Sequence, residues 1–131
     1  MRAMGVVKCP PGELFKRMHT CKMRKEWDST LEQLGYLQNV GKNAYVMYQQ
    51  YKKSNNQTPP PREFLTNFLC NQDPDGSILH VASSTDCKFN YCSSFTRGSI
   101  HLQGSILYPH GDNQTLLTWV QEVDYKGGNV T

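Results

Sequence analysis

Asp28 and Glu32 stand four residues apart, a spacing that on a helix would bring two carboxylates together for general acid–base work. The segment around them reads instead as the entry to a strand, so no catalytic pair is expected there. Four histidines, at 19, 80, 101 and 110, fall on different elements. Of these, His80 and His101 are the two that a sheet would let face each other, and a satisfied or exposed imidazole is the expectation for each. Five cysteines, at 9, 21, 70, 87 and 92, form no CxxC or Cys/His cluster with tetrahedral spacing, so no metal site is expected. A nucleophile elbow, an ordered Ser/His/Asp set and a phosphate-cradling glycine loop are all missing. The expectation is a protein that is not an enzyme and needs no cofactor.

The polar group that asks for an explanation is Gln49, in the stretch NAYVMYQQYKK at 43–53. At period 2, Tyr45, Met47, Gln49 and Tyr51 share one face, and Ala44, Val46, Tyr48 and Gln50 share the other. Buried without a partner, the Gln49 amide would cost about 1–3 kcal/mol, so protein, water or ligand must satisfy it. Both faces are partly apolar, which suits a strand covered by helix on one side.

Such a strand needs a sheet and a helix to position it. The 131 residues suffice for one core, hence a single domain over residues 1–131. A formal charge of +3, with Lys and Arg spread rather than concentrated, argues against nucleic acid as a partner. Weak attraction to an anionic membrane surface is compatible with that charge. No apolar run of 18 or more residues occurs, and the N-terminal apolar run is too short for a signal peptide. With an odd number of cysteines, this predicts reduced thiols and a cytoplasmic location. The glycosylation triplets beginning at Asn113 and Asn129 carry little meaning there.

Residues 5–8 read as a short strand, and Pro10-Pro11-Gly12-Glu13 as a helix start with an acid beside the dipole's positive end. Leu14, Phe15 and Met18 share the face that packs on the sheet, and the helix is expected to fray through 19–24. Strands follow at 31–40, 43–53, 62–71, 77–84, 95–108 and 115–124. The loop at 54–61 is marked by its composition. Asp73-Pro74-Asp75-Gly76 makes a tight turn, since Pro presets φ and Gly tolerates φ > 0. Cys87 and Cys92 lie in a loop, and 125–131 is a Gly-rich tail. One early helix with antiparallel hairpins gives an α+β domain on a curved sheet.

In order, Trp27-Asp28, the strand at 43–53, Pro61-Arg62-Glu63-Phe64, Arg97-Gly98, Gly104 and the ending LTWVQEVDYKGG at 117–128 resemble a START domain, the StAR-related lipid-transfer family. The resemblance implies a helix-grip fold of the START/Bet v 1 type and intracellular lipid transfer or sensing. WDSTLE and NAYVMYQQYKK are most similar to the ceramide-transfer branch. By that resemblance Asp28, Gln49 and Trp119 contact the lipid head group. The branch's Asn station corresponds to Ala82, which neither donates nor accepts. Gln49 and Phe68 stand where the sterol branch has a buried acid–base pair, against a sterol site of that design. The family's N-terminal helix and two strands before Gly5, and its C-terminal lid helix after Gly128, have no counterpart here. The chain is therefore expected to be a fragment, truncated at both ends, the alternative being a groove covered by a partner.

Burial of acyl chains supplies about 0.8 kcal/mol per CH₂, and polar groups only select the head group. Tyr45, Met47, Tyr51, Phe68, Leu117 and Trp119 are the expected lining, with Asp28, Gln49 and Ala82 at the polar stations. The partner is a ceramide-like sphingolipid or a phospholipid, with transient membrane contact. From the residues alone, each lining side chain is equally well explained as core, and Asp28 as a partner of Arg24 or Lys25. Two other functions compete: an enzyme of cyclase or hydrolase type on the same helix-grip shape, and an interaction module with a filled groove. A titratable group in the cavity with a perturbed pKa would favour the enzyme.

Overall fold

The computed structural model describes residues 2–52, 62–85 and 96–124. Along the chain, β1 (Arg2–Val7) leads to α1 (Pro11–His19) and α2 (Cys21–Lys25). Then come β2 (Leu31–Gly41), β3 (Ala44–Tyr51), β4 (Arg62–Gln72), β5 (Ile78–Ser84), β6 (Thr96–Arg97), β7 (Ser99–Pro109) and β8 (Thr115–Asp124). The loop expected at 54–61, Cys87 and Cys92 and the tail at 125–131 lie outside the described residues.

Seven strands pair antiparallel in the order β1-β8-β7-β5-β4-β3-β2, while β6 runs parallel to the start of β4. This is the expected curved antiparallel α+β architecture. Register carries one face from strand to strand, because side chains directly opposite each other point the same way. Tyr45 lies opposite Phe68, Phe68 opposite Ala82, His80 opposite Ser105, and Ser105 opposite Trp119. Gln49 and Trp119 therefore share the face on which α1 packs. Three register shifts in β2, between Leu31 and Gly41, allow that edge strand to bend.

Pro11 opens α1, where the missing N–H costs nothing, and Glu13 occupies the first turn. Leu14 and Met18 are buried and pack with Ile78 and Leu107, while Phe15 touches both this cluster and a second one. The second cluster is Leu31, Leu34, Met47, Phe68 and Ala82. Full burial of a large apolar side chain contributes about 1.5–3 kcal/mol, so these residues hold the layers together.

Three details differ from the sequence reading. The segment expected to fray is a separate turn of helix: Thr20 is extended (φ −107°, ψ 125°), and its carbonyl accepts from Arg24 N at 2.7 Å to start α2. The first strand begins at Arg2 rather than Gly5. The long strand expected at 95–108 is broken at Gly98, whose N–H donates to Glu63 O at 2.9 Å. A side chain at 98 would collide with the Phe64 ring and have to push it aside, so the close approach there favours glycine. The turn after β4 forms as expected, with Gly76 N donating to Asp73 O at 2.9 Å and Gly76 at φ 92°.

Candidate functional site

A cavity of about 470 Å³ lies between the helical segment and the β8–β1 side of the sheet. Leu14 and Met18 of α1 form one wall, Leu117 and Trp119 of β8 the opposite one, and Val7 and Cys9 close one end. Arg17, Arg24 and Trp27 complete the lining. Alternation along β8 puts Leu117 and Trp119 on the same face, and helical spacing puts Leu14 and Met18 together one turn apart. The volume falls in the range of small-molecule sites, and the lining is apolar except for two guanidinium groups.

Both guanidinium groups are compensated. Arg24 Nε donates to Asp28 Oδ2 at 3.0 Å and its Nη1 to Met18 O at 3.0 Å. Its Nη2 reaches the Tyr51 hydroxyl at 3.4 Å, and that hydroxyl donates to Gln49 Oε1 at 3.1 Å. One polar chain thus runs from Asp28 through Arg24 and Tyr51 to Gln49, whose buried amide has the partner that its burial demanded. Burial pushes the Asp28 carboxyl up, but hydrogen bonds from Thr30 and Arg24 outweigh it and hold the group below its ordinary value. Arg17 pairs with Glu13 at 2.9 Å and lies 4.0 Å from Glu26. The Trp27 indole N–H donates to Arg17 O at 3.0 Å, and the Arg24 guanidinium lies 5.1 Å from its ring centre.

The nine residues expected from the sequence divide by position. Leu117 and Trp119 line the cavity. Asp28, Tyr51 and Gln49 belong to the polar chain that Arg24 joins to it. Met47, Phe68 and Ala82 pack against one another on the β3–β5 side, with Tyr45 and Tyr51 beside them. The sequence reading did not single out Arg24, Met18 or Leu14 as lining residues. For Arg24 the signal in the sequence is its four-residue spacing to Asp28, on a segment expected to fray.

His19 and His80 do not follow the expected pattern of satisfied or exposed imidazoles. His80 lies opposite Ser105 rather than facing His101, which is exposed. His19 and His80 are both buried, with ring centres 4.7 Å apart and Phe68 against each. His80 Nδ1 is 3.0 Å from Ser105 Oγ, while His80 Nε2 and both His19 nitrogens have no hydrogen-bond partner among the described residues. Burial lowers the His80 pKa to about 4. Burial first, then His80 and Arg24, hold His19 well below its ordinary value. Neither ring is part of the cavity lining, although His80 backs Trp119 at 5.9 Å. Among the described residues no group of three or more His, Cys, Asp or Glu is placed to hold a metal, and no helix is long and apolar enough to cross a membrane.

The model of the START domain family matches residues 1–131. No curated protein sequence matches the chain. Among solved structures, the human StarD13 (DLC2) lipid transfer and protein localization domain superposes with a TM-score of 0.85 at 19% identity, over 98% of this chain and 64% of that one. Human StAR-related lipid transfer protein 5 gives 0.81 at 21% identity, over 97% and 62%. Human STARD10 gives 0.81 at 18% identity, over 96% and 52%. The chain thus spans 52–64% of the length of these three structures, and at these identities the likeness establishes a shared fold.

Proposed function

The chain belongs to the START domain family, and from that premise we propose that residues 1–131 form a lipid-binding unit acting in lipid transfer or sensing, without catalysis. The observation that carries this reading is the 470 Å³ cavity, whose apolar walls are edged by a fully compensated Arg24. Such walls gain about 0.8 kcal/mol for each methylene they bury. Of the chain Asp28–Arg24–Tyr51–Gln49, Arg24 lines the cavity and the other three hold its guanidinium in place for a head group. Trp119 reaches the same space from the sheet.

The ligand is a ceramide-like sphingolipid or a phospholipid, and loading requires transient membrane contact. The donor set suits hydroxyl and amide groups, although Ala82 offers nothing at the third polar station of the ceramide branch. Cys9, Cys21 and Cys70 are free thiols, which fits a cytoplasmic setting.

Native mass spectrometry after exposure to mixed ceramide and phospholipid vesicles tests the reading. The expected result is a lipid-bound species for the wild-type chain and a marked loss of it for Leu117→Trp, which fills the cavity. A chain that stays lipid-free, and moves no labelled lipid between vesicles, overturns it.

A further inference from the structure

Lys and Arg are spread along the chain, but the net charge of +3 is not, because the carboxylates are unevenly placed. Segment 8–28 holds six cations (Lys8, Lys16, Arg17, Lys22, Arg24, Lys25) and three carboxylates (Glu13, Glu26, Asp28), a net +3. The whole chain, with 14 cations and 11 carboxylates, has the same +3, so the remainder is balanced. The ion pairs sharpen this. All three carboxylates are engaged by Arg17 and Arg24. The four lysines are exposed and make no ion pair among the described residues.

The same segment walls the cavity. Trp27 lines it and is nonetheless 55% exposed. Its indole N–H is satisfied by Arg17 O, and the Arg24 guanidinium lies against the ring, so the side chain is held in place. Lys8 borders an open depression that shares Val7, Cys9 and Arg17 with the cavity. An exposed, ordered indole in a segment that carries four exposed lysines matches the head-group layer of a bilayer, where amphipathic rings concentrate and anionic lipids attract basic segments.

We propose that segment 8–28 docks the protein on an anionic membrane leaflet, with Lys8, Lys16, Lys22 and Lys25 supplying the attraction and Trp27 entering the head-group layer beside the cavity. This rests on the reading of that cavity as a lipid site, since docking brings the site to its source of lipid. The partner is a leaflet rather than a nucleic acid because the lysines accompany an exposed aromatic ring and an apolar hollow, and phosphate-backbone binding needs neither.

The test is sedimentation of the protein with phosphatidylcholine vesicles, with and without phosphatidylserine. Binding is expected only with phosphatidylserine and is expected to weaken as salt is raised. Replacing Lys22 and Lys25 by alanine lowers the partition coefficient about 25-fold, about fivefold per lysine. Brominated lipids quench the fluorescence of the wild type and quench Trp27→Phe less. Lipid loading from a cyclodextrin carrier, which needs no docking, stays unchanged in the lysine variants. Equal binding to both vesicle types, or binding that ignores the lysines, overturns the docking surface while carrier loading still reports on the cavity. Lysine-dependent docking without any loading supports the surface and removes the lipid-site reading. Duplex DNA bound as tightly as anionic vesicles, with no effect of Trp27→Ala on either, overturns the membrane assignment in favour of a general polyanion site.

Discussion

Acidifying the protein from about pH 7.5 to about pH 5 should destabilise it through the buried pair His19 and His80. Both imidazoles are held below their ordinary value of 6.5, so the folded state refuses a proton that the unfolded chain accepts. Wherever the unfolded chain binds more protons, stability falls with falling pH. With a folded value of about 4, His80 alone loses about 1 kcal/mol by pH 6 and about 2 kcal/mol by pH 5, and the loss levels off below about pH 4. His19 adds to it in the same direction. Asp28 is silent in this window: its contribution is intact above its ordinary carboxylate value and is lost only at lower pH. Against a total of about 5–15 kcal/mol for a domain, the change is easily measured. Urea unfolding followed by tryptophan fluorescence at a series of pH values is the assay. His80→Leu should flatten the dependence by about 2 kcal/mol over the same interval, even though leaving Ser105 Oγ without His80 costs about 1 kcal/mol at neutral pH. A stability that stays constant within about 0.5 kcal/mol down to pH 5 would refute the assignment of these rings as buried and neutral.

Other substitutions probe the frame. Gly98→Ala forces a methyl group against the Phe64 ring and should cost about 1–3 kcal/mol by urea titration. Arg97→Ala removes the half-exposed cation that lies 2.7 Å from the buried Glu63 carboxylate, to which Gln50 still donates, and a loss of about 1–2 kcal/mol is expected, with Glu63→Gln in the same background restoring part of it. Phe68→Ala, in the filled part of the sheet, should cost about 3–5 kcal/mol. Leu117→Ala, on a wall that is already open, should cost less and alter lipid occupancy more, read by calorimetry and native mass spectrometry.

Strand periodicity was the most legible signal. In β3, alternation fixes which residues share a face, so Tyr45, Met47, Gln49 and Tyr51 could be grouped before any coordinates. The Pro-Asp-Gly turn likewise announced the β4–β5 hairpin. The break at Thr20 was not legible, because no Gly or Pro marks it and any residue can adopt its extended backbone. Nor was the meeting of His19 with His80, which needs α1 to lie across β5 and a register that sets His80 against Ser105. The charge of segment 8–28 was visible as composition. Its meaning was not, because the sequence does not say which carboxylates the arginines occupy.

Where the helices cross the sheet decides where a ligand can go. On the β2–β5 side, Leu31, Leu34, Met47, Phe68 and Ala82 fill the space under Phe15, so a lipid there would have to displace packed side chains. Deleting even one such side chain costs several kcal/mol, which makes displacement unfavourable against about 0.8 kcal/mol per inserted methylene. On the β8–β1 side Leu14 and Met18 also pack with Ile78 and Leu107, with Leu117 and Trp119 against them, but beside these residues a cavity of about 470 Å³ stays open. Gln49 and Asp28 belong by position to the filled side, yet Tyr51 and Arg24 carry their hydrogen bonding to the edge of the open one. A head group at Arg24 and a tail along Leu117 would therefore use both halves of the sheet while disturbing neither. Arg24→Met, which keeps the stem and removes every donor, should separate them: lipid still enters the cavity, and selectivity between head groups is lost.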